Sequence, residues 1–243
     1  MKLKSLLVAV FALAFPLTAS ANLIFNSSLG GVSGAGLGNV ATLLTIQSPG
    51  STSTESGSVS FNGTTDVTSN TGVFAGGAPV SFGDVKTGAS QTLTRSLGSV
   101  GITSAGQLAI VLNASEPGGN SITITGLRVD IFSTAGASIF NAAIVSSVDF
   151  PTTFTGTGNE GFVFTLDGAQ ASALNTVLSG LSASQVAALR VGLSASASNA
   201  TGGIDTFNLS QVTAATPLVP EPGTLLLLGT ALMAGAAWRR MRR

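Results

Sequence analysis

Along most of the chain, apolar residues recur at every second position. Val59 and Phe61 alternate with Ser and Asn, and Val80 and Phe82 do the same after Gly76-Gly77-Ala78-Pro79. Phe162, Phe164 and Leu166 form another set, followed by Val191, Leu193, Ala195 and Ala197, then Phe207 and Leu209. A period of two puts alternate side chains on one face of a strand, so each set predicts a strand with a buried face. Leu108-Ala-Ile-Val-Leu112 is apolar at both parities and predicts a central strand covered on both sides. In 121–132, Ile122 and Ile124 share one parity while Leu127, Val129 and Ile131 share the other. The phase slips at Gly126, where a β-bulge or bend is expected. Residues 26–40 are Gly/Ser-rich and predict an irregular loop or weak edge, 48–58 reads as a polar connection, and Glu116-Pro-Gly-Gly-Asn120 reads as a turn.

One window changes period. Ala171, Leu174, Val177, Leu178 and Leu181 recur at helical spacing, with Gly180 placed to end the helix. Asp167 followed by Gln170 predicts a capping pair, and Ser182 followed by Gln185 repeats the device ahead of Val186–Leu189. Short strands at regular spacing around one helical interlude predict a mainly β fold, an antiparallel β-sandwich or jelly-roll-like body over residues 22–215 with a short helical insertion.

The two ends follow different rules. Lys2 and Lys4 precede an apolar run from Leu6 to Phe15, and Ala19-Ser20-Ala21 supplies a small-residue cleavage site. Residues 1–21 therefore read as a secretory signal peptide, leaving Asn22 as the mature N-terminus. At the other end, Pro220-Glu221-Pro222 cannot be helical, because each Pro pushes its predecessor toward extended geometry. An uncharged Leu/Ala/Gly run from Thr224 to Trp238 follows, then Arg239, Arg240, Arg242 and Arg243. The run is shorter than the roughly 20 residues that span a bilayer comfortably. Trp238 suits the membrane interface, and the arginines favour the cytoplasmic side. Residues 216–243 thus predict a short transmembrane helix with an Arg tail, behind an outward-facing body.

This order of Pro-Glu-Pro, short apolar helix and terminal Arg cluster resembles the PEP-CTERM sorting signal of Gram-negative bacteria. The resemblance implies processing by exosortase, a membrane transpeptidase-like enzyme, at or near Pro220-Glu221-Pro222, with delivery to the cell surface or the extracellular matrix. A plain single-span anchor that happens to contain Pro-Glu-Pro is the alternative. The stretch Leu189–Phe207 also resembles the last strands common in bodies of PEP-CTERM proteins.

Composition narrows the chemistry. The chain has no His, Cys or Tyr, and its single Trp lies in the C-terminal segment. Disulfides, thiolate zinc sites, Ser-His-Asp triads and imidazole metal ligands are therefore excluded. Flat amphipathic rings for sugar binding are also missing from the body. Outside the two targeting segments the bases are Lys86, Arg95, Arg128 and Arg190, against ten acids with Glu221 included. That acidic balance offers no footprint for nucleic acid.

The remaining enzymatic route is a pair of carboxylates. Glu55, Glu116 and Glu160 all sit in loop-like sequence and read as solvated acids. Calcium needs only oxygen ligands, and turn residues Glu116 with Asn120, and Asn159 with Glu160, are weak candidates that follow no EF-hand spacing. No cofactor is expected. The expected function is that of an exported, non-enzymatic surface or matrix protein. The alternative is an extracellular polysaccharide- or calcium-binding module, and the third reading an extracellular hydrolase. Convergence of two acids near a concave face would raise the last of these.

Overall fold

A computed structural model describes residues 22–29, 41–48, 53–71, 84–88, 91–116, 120–151, 161–201 and 203–212. In chain order its strands are β1 (Leu23–Phe25), β2 (Ala41–Ile46), β3 (Thr54–Phe61), β4 (Asp66–Ser69), β5 (Arg95–Ser96), β6 (Leu108–Asn113), β7 (Ile122–Phe132), β8 (Ser138–Ala143), β9 (Val148–Phe150), β10 (Gly161–Leu166), β11 (Arg190–Ser198) and β12 (Asp205–Gln211). Helices α1 (Gly168–Ser179) and α2 (Ala183–Ala188) lie between β10 and β11. One sheet runs β1-β10-β6-β12-β2, and the other runs β4-β3-β11-β7-β8, with β5 on β11 and β9 on β7. Every pairing between these strands is antiparallel.

The sheets share one core. Leu44, Ile110, Leu112, Phe164 and Phe207 from the first sheet pack with Val129, Ile131, Val191 and Leu193 from the second. β6 is central and covered on both faces, as its unbroken apolar run predicts. Leu108, Ile110 and Leu112 face the main core, while Ala109 and Val111 join Val163 beneath Leu29 and Val212. On β7, Ser196 pairs with Gly126 and Ala197 with Ile124, so Thr125 is the extra residue of a bulge. The bulge reunites the two parities, and Ile122, Ile124, Leu127, Val129 and Ile131 all enter the same core.

The period change at residue 167 marks the only α-helices among the described residues. The Asp167 carboxylate accepts from the Gln170 N–H at 2.7 Å, and Ser182 with Gln185 forms a full capping box ahead of α2. α1 buries Leu174 and Leu178, α2 buries Val186, and α1 ends at Gly180 without left-handed backbone.

Several expectations meet a correction or a limit. The polar stretch 48–58 is not all connection, because β3 begins at Thr54. Its polarity hides a core-facing parity: Glu55, Gly57 and Val59 point inward, and two of the three carry no apolar side chain. A Cβ on Gly57 would meet Val85 Cγ2 at 2.5 Å and Ile46 Cγ2 at 2.8 Å, so the close approach of the sheets requires glycine there. The strand expected at Val80 and Phe82 lies outside the described residues. Among the described residues, no helix is long and apolar enough to cross a membrane. The signal peptide, the transmembrane helix expected over 224–238 and the arginine tail also lie outside them.

Candidate functional site: a buried carboxylate island

β3 starts, β6 ends and β12 starts at the same end of the sandwich, and each brings an acid there. Glu55, Glu116 and Asp205 are 1 %, 1 % and 0 % exposed. The Ser48 N–H donates to Glu55 Oε1 at 2.6 Å, and the Ser115 N–H donates to Asp205 Oδ1 at 2.9 Å. Glu116 Oε2 accepts from both the N–H and the hydroxyl of Thr201, at 2.5 and 2.6 Å. The turn that delivers Asp205 is pressed against the Glu116 segment. A Cβ on Gly203 would lie 1.3 Å from the Ser115 carbonyl oxygen, so glycine alone fits.

Each of these carboxylates keeps one oxygen unsatisfied. Glu55 Oε2, Glu116 Oε1 and Asp205 Oδ2 are buried without a hydrogen-bond partner, as is the Ser48 hydroxyl beside Glu55. Glu55 and Asp205 face each other closely enough that one proton between them would bond the pair, whereas two ionised carboxylates offer each other no donor. Burial is the main cause that raises the Glu55 carboxyl to about 7, with Glu116 and Asp84 adding negative charge. Asp205 is raised to about 8, first by burial and then by the charge of Glu55. The charges acting on the pair are all negative, so an ionised pair here demands either a proton or a cation.

The residues singled out beforehand fare unevenly. Glu116 is in the island, but it is buried and bound to Thr201, not solvated, and Asn120 is exposed. Glu55 is likewise a strand residue of the interior, not a solvated loop acid. No pattern along the chain singles out Asp205. The signal that finds Glu55 is its parity with Val59, once Thr54–Phe61 is taken as a strand; Asp205 shares parity with Phe207 in the same way. Asn159 and Glu160 lie outside the described residues, as do Ala19, Ala21, Pro220, Glu221, Pro222, Trp238, Arg239, Arg240, Arg242 and Arg243. Away from the island, a concavity of about 600 Å³ lies among Ile102, Asn175, Leu178, Leu181 and Val186, and its lining includes no acid or base.

Comparison with known proteins adds one decisive match: residues 218–243 fit the PEP-CTERM protein-sorting motif. The C-terminus is an exosortase sorting signal. That motif implies export, membrane-associated sorting and processing by exosortase. No curated protein and no solved structure matches the chain.

Proposed function

We propose that the chain is a non-enzymatic cell-surface or extracellular-matrix protein, with the β body as cargo and the two termini as its address. The observation that carries this reading is the PEP-CTERM signal at 218–243 behind a separately cored β body. Export removes residues 1–21. The Arg cluster holds the C-terminus inside while Pro220-Glu221-Pro222 stands at the outer interface, where exosortase cuts. The run from Thr224 to Trp238 is too short for a comfortable permanent span, so the mature product loses it.

The convergence of Glu55 and Asp205 is what a two-carboxylate hydrolase would use, but its geometry argues otherwise. Catalytic carboxyl pairs flank a sugar at separations of about 5 to 9.5 Å. Here the two groups are within hydrogen-bonding reach and shut away from solvent. The concavity among the helices has no aromatic ring among its lining residues, which weakens the polysaccharide-binding alternative.

Immunoblots of membrane, surface and medium fractions test the routing. Glu221→Ala, or replacement of the four terminal arginines by Ser, is expected to leave the body folded while blocking its release or display. Unaltered fractionation with an intact C-terminus in every strain would reduce the segment to a plain anchor.

A further inference from the structure

Among the described residues, four of the five buried side-chain atoms that lack a hydrogen-bond partner belong to Ser48, Glu55, Glu116 and Asp205; the fifth, Thr68 Oγ1, belongs to β4. Leaving a single buried polar atom unsatisfied costs about 1–3 kcal/mol, so such a concentration at one end of a sandwich calls for protons or a ligand. The atoms are all oxygens, most of them carboxylate, and the charges around Glu55 and Asp205 are negative. We propose that Glu55 and Asp205, with the Ser48 hydroxyl, bind a calcium ion that ties the start of β3 to the start of β12, while Glu116 adds the third negative charge.

The chemistry selects the ion. Hard oxygen ligands suit calcium, and a chain without His or Cys offers nothing to zinc or copper. Magnesium keeps several waters in a strict octahedron, which an island this dry accommodates poorly. Among the described residues no three acidic side chains are already gathered at metal-ligand spacing. Calcium tolerates an irregular set of six to eight oxygens, so the two carboxylates and the hydroxyl can be completed by carbonyl oxygens without bound water. The inference leans on export only in that extracellular fluid supplies calcium, and its test reads binding, not sorting, so the two readings fail separately.

The exported protein, stripped with EDTA, is titrated with calcium chloride in a calorimeter at pH 7.5. One ion per chain is expected, with magnesium chloride binding more weakly. Glu55→Gln and Asp205→Asn each remove a ligand and a charge without changing shape, and each is expected to weaken calcium at least ~10-fold. Asp149→Asn, on the exposed edge strand β9, is expected to bind as the wild type does. Wild-type protein that takes up no calcium overturns the proposal and leaves the carboxyls sharing protons. Equal binding by wild type and both island variants overturns it too, by placing the ion elsewhere.

Discussion

β3 carries a polar cluster at each end, and the two are solved in opposite ways. At its C-terminal end, Arg190 lies over the Phe61 ring at 4.9 Å and donates to the Thr94 hydroxyl at 2.6 Å, to the Thr94 carbonyl at 2.8 Å and to Asp66 at 3.4 Å. Asp66 in turn accepts from the N–H and hydroxyl of Thr94. At the N-terminal end, Glu55 meets Asp205 and Glu116, with an oxygen of each left over. The difference follows from scarcity. The body has four basic residues, of which Arg190 serves Asp66 and Arg128 serves Asp130. A domain this short of cations neutralises one seam with its own side chain and leaves the other to protons or to an ion from outside.

If that contrast is right, pH separates the two ends most strongly. Glu55 and Asp205 have raised folded-state values of about 7 and 8, so between about pH 4 and 8 the folded chain holds protons that the unfolded chain has released. Stability in calcium-free buffer must then fall as pH rises through that window and level off above it, by several kcal/mol in total. Urea melts at pH 5 and pH 8.5 read this directly, and a flat profile would remove the contrast. Arg190→Met attacks the other end. It strands Asp66 and Thr94, which are partly buried, and is expected to cost about 2 kcal/mol by urea midpoint.

Asp205→Asn sharpens the comparison through its sign. In calcium-free buffer at pH 8 it removes a buried like charge and is expected to stabilise the fold by about 1 kcal/mol, whereas in calcium it should lose that advantage. Arg128→Ala removes two bonds to Asp130, at 2.6 and 2.9 Å, and leaves a carboxylate whose side chain is only 3 % exposed. Because the arginine itself is 45 % exposed and water can enter in its place, thermal melts should fall by about 1 kcal/mol equivalent.

Much of this fold can be read where one strand face is apolar. The alternation of Phe162-Phe164-Leu166, the double-sided run of β6, the slip at Gly126 and the caps at Asp167 and Ser182 each correspond to a feature of the structure. Legibility fails where packing breaks the period or polar residues carry it. β2 pairs Phe207 with Leu44 but Asn208 with Thr42, so Leu43 is a bulge residue and two adjacent leucines are both buried. The start of β3 is disguised because its inward positions are an acid and a glycine. The site is hidden for the same reason: its acids come from two distant strands and the segment after a third, and only the sheet registers bring Glu55, Glu116 and Asp205 to one end. The sorting signal, by contrast, is contiguous and local, and was readable in full.

Anomalous diffraction from crystals of the exported protein grown at neutral pH with calcium chloride tests the central claim most directly. The account predicts one strong peak between the Glu55 and Asp205 carboxylates, with oxygens at about 2.3–2.6 Å. A map with no peak there, and the two carboxyl groups bonded to each other instead, would contradict it.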